Sequence, residues 1–314
     1  MRFSSMLAVL ATLGLQMSGV GDSAEIPFVF VFDNANSRPT YFSVHGIGAA
    51  QELSRGKGVR VGILDHGFGT EVHPELYAGG ANFLGKEAHA KLTTIAEHGY
   101  WMAKTLREIA PDVEIFALNA ASRDDAQRAD AISRAVDWAI EHDLDVLTHS
   151  HRKFSADVRT KVDAAVERAH AADIVTVFIH YGHPENVLPG GLFPDLEDGR
   201  SPDVYVLHYD YSVLFTEWYG ELQQSGRSDR GYVPFLSISS TAPVTAGVVA
   251  MMRSLERDLS PTRCREILRT AARPMTFEGE EVPRALDAFA AVSRVAAEAG
   301  AIKVSQDPRP GTLH

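Results

Sequence analysis

Cysteine is almost missing from this chain: Cys264 is the only one. An intrachain disulfide is therefore excluded, and stability must come from a packed core. With 314 residues and 45% hydrophobic content, the chain has the material for one. Positive charge is also in short supply. Lysine and arginine number 30 against 41 acidic residues, a formal net charge of −11. A surface of that sign repels phosphate backbones, so nucleic acid is not an expected partner. No apolar run is long enough to span a bilayer comfortably. No internal repeat or low-complexity tract interrupts the sequence.

What is present begins with an export pattern. Arg2 supplies a short positive region, Met6 to Met17 is almost wholly apolar, and Ser18, Gly19, Gly21, Ser23 and Ala24 follow. That order of charge, apolar stretch and small residues is the order of a secretory signal. Residues 1–24 are read as that signal, with Gly21 or Ala24 the last residue removed. No stable membrane insertion is expected once it is gone, and the expected location is the periplasm or the extracellular space.

Strand-like and helix-like segments then alternate. Val59 to Leu64 is mostly apolar and rich in valine and isoleucine, which predicts a buried strand. A helix is predicted from His98 to Ile109, stopped by Pro111. Val113 to Leu118 reads as a strand. Ala126 to His142 is a helix with Ile132, Val136 and Ile140 on one stripe. Leu144 to Leu147 is a strand, and Ser155 to Ala171 a second amphipathic helix, with Ser155 as its N-cap. Ile174 to Ile179 and Val204 to Leu207 are further strands, and Val244 to Leu255 is an apolar helix. Such alternation predicts an α/β fold with a mostly parallel central sheet and helices on both faces. Ligands in such sheets sit at the carboxyl ends of the strands.

Three residues at such places carry chemistry. Asp65 ends the first strand and is followed by His66-Gly67. His98 opens a helix, where an imidazole can overhang a cleft. Ser239 lies in Ser237-Ile238-Ser239-Ser240-Thr241-Ala242-Pro243, just before the apolar helix, where backbone N–H groups can stabilise an oxyanion. Taken singly, each also fits a capping or turn role. Cys264, within a helical pattern, reads as a packing residue.

In the order Asp, His, Ser, these segments together resemble the subtilase family of serine peptidases. Val61-Gly62-Ile63-Leu64-Asp65-His66-Gly67 followed by His73-Pro74-Glu75-Leu76 resembles the family's aspartate motif. His98-Gly99-Tyr100-Trp101-Met102-Ala103 resembles its histidine motif. Ser239, four residues before Pro243 and followed by Ala246-Gly247, resembles its serine motif. The resemblance spans Tyr41 to Val295. It implies a subtilisin-like three-layer sandwich, with residues 25–40 a short N-terminal segment, 41–298 the catalytic domain and 299–314 a tail. It also implies acyl transfer with no cofactor on a peptide or protein substrate. Ser239 would be the nucleophile, His98 the general base and Asp65 the group that orients it.

The pattern departs from the family at four places. His183 falls on the oxyanion-hole asparagine, leaving the Ser239 backbone N–H as the other donor. The substrate-binding Ser-Leu-Gly edge reads Ser150-His151-Arg152. Ser237-Ile238 replaces Gly-Thr before the nucleophile, and the long inhibitory pro-segment of secreted relatives is not expected here, since only a short stretch separates the expected signal from the domain. His66, His149, His151, His180, His183 and His208 all map near strand ends. Two alternatives follow: a catalytically impaired homologue that binds peptides, and a metal-assisted hydrolase with His149, His151 and His180 as candidate ligands.

Overall fold

The computed structural model describes residues 42, 44–150, 153–191, 200–207, 238–277 and 280–301. The predicted signal, the 25–40 segment, His151, Arg152, His208 and Ser237 lie outside them.

Five strands, β1 (Arg60–Asp65), β2 (Gly79–Asn82), β3 (Glu114–Asn119), β4 (Val146–His149) and β5 (Val175–Phe178), form one sheet in the order β2-β3-β1-β4-β5. Every pairing in it is parallel. β1 is central and buried along all but its first residue. Strand alternation splits its side chains between two cores. Val61 and Ile63 join the first core, with Ile115, Ala117, Val146, Val175 and Val177. Leu64 joins the second, with Phe116, Leu118, Leu147 and Phe178. The helices His98–Ile109, Thr241–Leu255, Pro261–Ala271 and Ala288–Glu298 cover the first face. The helices Asp125–Glu141 and Ala156–Ala171 cover the second. The chain runs from β1 to β2 and β3 on one side, then crosses to β4 and β5 on the other. That reversal beside β1 is the kind of switch point at which open α/β sheets form their ligand crevice.

Most predicted elements appear within a residue or two of their expected bounds. The His98 helix ends at Ile109, and Ala110 leaves helical geometry just before Pro111, as proline sterics require. The Thr241 helix is buried from Thr241 to Arg253, as an apolar helix at the centre of a fold must be. Ser155 occupies the N-cap position of the Ala156 helix, but its side chain makes no capping hydrogen bond. Val204 to Leu207 does not extend the central sheet. Its strand, β7 (Val204–Tyr205), belongs to a second sheet with β6 (Pro189–Gly190), β8 (Arg273–Phe277) and β9 (Glu280–Ala285), in the order β6-β7-β9-β8. The β8–β9 hairpin and β2 carry weak apolar alternation, and no strand is predicted for either from sequence.

Candidate active site

The site is assembled where β1 meets the start of the His98 helix. Backbone hydrogen bonds fasten the two together. Gly99 N–H donates to the His66 carbonyl at 2.8 Å, and Glu97 and Tyr100 N–H donate to the Gly67 carbonyl at 2.7 and 3.1 Å. Two glycines make this approach feasible. Gly67 has φ 63°, and a Cβ there would lie 2.5 Å from Glu97 Cβ. A Cβ on Gly99 would meet the His66 carbonyl oxygen at 2.6 Å. Both distances are shorter than carbon atoms tolerate, so the turn needs glycine at each place.

Asp65 is fully buried. Its Oδ2 lies 2.7 Å from His98 Nδ1. An ionised carboxylate only accepts, so in neutral His98 the proton sits on Nδ1 and Nε2 is the basic nitrogen. The other oxygen, Oδ1, accepts the His66 backbone N–H at 2.8 Å and lies 3.1 Å from His66 Nδ1. His66 and His98 therefore share one carboxylate. Their rings are parallel within 1°, with centroids 6.0 Å apart. His66 Nε2 is 3.6 Å from Glu97 Oε2. Burial disfavours the charged imidazole of His66, but the Asp65 hydrogen bond and the charges of Asp65 and Glu97 outweigh it, and its pKa rises above 6.5.

Ser239 sits in a short 3-10 turn, Ile238–Ser240, that runs into the Thr241 helix. Thr241 Oγ1 donates to the Ile238 carbonyl at 2.8 Å and holds the turn. This turn packs on the His98 helix.

The other expected site residues fall in varied surroundings. Ser150 follows β4 and is buried; its hydroxyl has no hydrogen-bond partner among the described residues. His149 faces the second core, packed between Phe154 and Phe178 at ring separations of 5.5 and 5.4 Å. His180 occupies a turn with φ 54° after β5. His183 Nδ1 accepts the Glu185 backbone N–H at 3.2 Å. Its remaining nitrogen, Nε2, lies 3.7 Å from Glu167 Oε1 on the Ala156 helix, which covers the second core. Among the described residues, no group of three His, Cys, Asp or Glu side chains is placed to hold a metal ion. Cys264 is buried against the Leu259 carbonyl, and burial pushes its thiol up to about 12, as a packing residue requires. Among the described residues, no helix is long and apolar enough to cross a membrane.

Sequence reasoning placed His66 only among the rim histidines and passed over Glu97. Alternation along a strand puts consecutive side chains on opposite faces. The Gly67 turn breaks that rule and brings His66 back to Asp65.

No family model matches the chain. Two curated relatives do. Over 133 residues it is 30% identical to subtilisin DY from Bacillus licheniformis, covering 39% of this chain and 47% of that protein. Over 148 residues it is 27% identical to subtilisin-like protease SBT3.6 from Arabidopsis thaliana, covering 47% of this chain and 17% of that protein. The chain is a divergent subtilase-like protein. The match spans less than half the length of either curated relative. Among solved structures, MycP1 from Mycobacterium smegmatis superposes with a TM-score of 0.64 over 93% of each chain, at 17% identity. The subtilase-like fold is thus retained across the described residues at very low sequence identity.

Proposed function

We propose that this subtilase-like chain is an exported serine endopeptidase, working through Ser239, His98 and Asp65. The observation that carries this reading is the 2.7 Å contact from the buried Asp65 carboxylate to His98 Nδ1. It sets the His98 tautomer so that Nε2 faces outward as a base. The Ser239 turn packs on the same helix. In the reaction, His98 Nε2 takes the Ser239 hydroxyl proton as Oγ attacks the peptide carbonyl. Asp65 stabilises the imidazolium that forms. His98 then returns the proton to the leaving amine, and water hydrolyses the acyl-enzyme by the same relay. The helix start supplies backbone N–H groups, that of Ser239 among them, to the oxyanion. Ser150, His151 and Arg152 would border the bound peptide, with Arg152 favouring acidic side chains. A fluorophosphonate probe tests the reading directly. We expect one covalent adduct, located on Ser239 by peptide mass spectrometry. Folded protein that takes up no probe rules the reading out.

A slow, peptide-binding homologue is the second reading, favoured by one observation. His183 Nδ1 accepts the Glu185 N–H and its Nε2 lies 3.7 Å from Glu167 Oε1, so its single N–H has a carboxylate nearby that competes with an oxyanion. His183→Asn should therefore raise kcat, by about tenfold or more, since one well-placed donor is worth roughly 100- to 1000-fold. A loss of activity in this variant would make His183 a working oxyanion donor after all.

A further inference from the structure

We propose that His66 is a positioning residue, a second imidazole on the Asp65 carboxylate whose charge sets the pH at which His98 becomes a base. This rests on the endopeptidase reading for its catalytic meaning, and on the geometry of the two rings for its physics.

Asp65 offers its two oxygens to two imidazoles, Oδ2 to His98 and Oδ1 to His66. The rings lie parallel and 6.0 Å apart, so a proton taken up by one is felt by the other. Groups on every neighbouring element act on His66. Asp65 belongs to its own strand, Glu97 and His98 to the facing helix start, and Lys91 to the Lys86–Thr93 helix. Asp65 and Glu97 favour a cationic His66; Lys91 and burial oppose it, and the carboxylates prevail. The His66 side chain is 30% exposed, which leaves it in proton exchange with water.

The two imidazoles consequently titrate as a pair. A proton held on His66 sits across the shared carboxylate from His98, whose Nε2 remains the nitrogen able to accept the Ser239 proton. A second proton must enter against the first. Two unit charges 6.0 Å apart, at an effective dielectric of about 20 to 80, hold that second step roughly 0.5 to 2 pH units lower than it would otherwise lie. A protonated His66 thus keeps the site active at lower pH than a lone Asp-His pair would allow.

The same arrangement links His66 to folding. Its folded pKa is raised, so its contribution is fully present below the ordinary value of 6.5 and is lost as pH rises through the folded value.

Two variants separate charge from shape. His66→Gln keeps a polar side chain able to donate to Asp65 but removes the charge. His66→Lys keeps a permanent charge. We would measure the acid midpoint of kcat/KM for both, and the ring titration of His98 by NMR, which needs no activity. In His66→Gln, both midpoints should rise by about 0.5 to 2 pH units. In His66→Lys, they should stay at the native value or fall below it. The stability difference between native protein and His66→Gln should shrink as pH rises. Midpoints unmoved in His66→Gln, or moved equally by both variants, overturn the inference. If Ser239 takes no fluorophosphonate while the His98 ring titration still moves as described, the endopeptidase reading fails and the His66 coupling stands.

Discussion

Ser239→Ala and His98→Ala should each lower kcat by about a millionfold, and the double variant should be no worse than either, because nucleophile and base act as one unit. Asp65→Asn should cost about ten-thousandfold, and the surroundings of Asp65 explain why. Oδ1 receives the His66 backbone N–H at 2.8 Å and faces His66 Nδ1 at 3.1 Å. An asparagine here must keep its oxygen on that side. Its amide NH2 then faces His98 Nδ1, where a lone pair is needed to accept it. The His98 proton moves to Nε2, and the nitrogen proposed to take the Ser239 proton is no longer a base. The folded structure should survive, since the change is isosteric. Steady-state kinetics on a peptide substrate near neutral pH would check all of these. An Asp65→Asn loss smaller than tenfold would mean that Asp65 does not orient His98 during turnover.

The largest effect on stability should come from Asp203→Leu. This carboxylate is fully buried and shared among arginines. Oδ1 lies 3.0 Å from both Arg265 Nη2 and Arg269 Nη1. Oδ2 accepts from Arg200 Nη2 and from the Leu188 backbone N–H, each at 2.9 Å. Arg284 closes the cluster by donating to the Asp203 carbonyl. The network ties β6 and β7 of the second sheet to the Pro261–Ala271 helix. Leucine would strand the Leu188 N–H and leave several guanidinium groups facing one another without their shared anion. Breaking a buried ion pair from one side typically costs about 3–5 kcal/mol. Arg269 is 44% exposed, so water screens its share and the lower half of that range is expected. Denaturant unfolding gives the measurement. Adding Arg200→Met should restore part of the loss, because it removes one of the stranded charges. Wild-type stability in the single variant would show that the cluster holds nothing together.

The layered fold was legible because its evidence is local and repetitive. Val61, Ile63 and Leu64 could be read as a buried strand from their apolar run alone. The His98 helix could be bounded from Pro111, and the Thr241 helix from its unbroken apolar content. The aspartate, histidine and serine segments were recognisable because each carries a short motif at a strand or helix end. β2, β8 and β9 were not legible. Gly79-Gly80-Ala81-Asn82 has almost no side chain to pattern, and β8 and β9 take their strand form from pairing with each other. For Val204 the strand was legible but its sheet was not, since a strand carries no record of its partners.

The sequence by itself determined the alternating α/β architecture, the subtilase resemblance and the three candidate catalytic positions. These follow from hydrophobic periodicity and from motifs whose residues are neighbours along the chain. Only the tertiary structure decided that Asp65 serves two histidines, that His183 faces Glu167, that His149 is packed among aromatic rings and that Asp203 gathers arginines from three segments. Those relations depend on which side chains the glycine turn at Gly67, the sheet order and the helix packing bring within a few ångströms, and no local pattern encodes such distances.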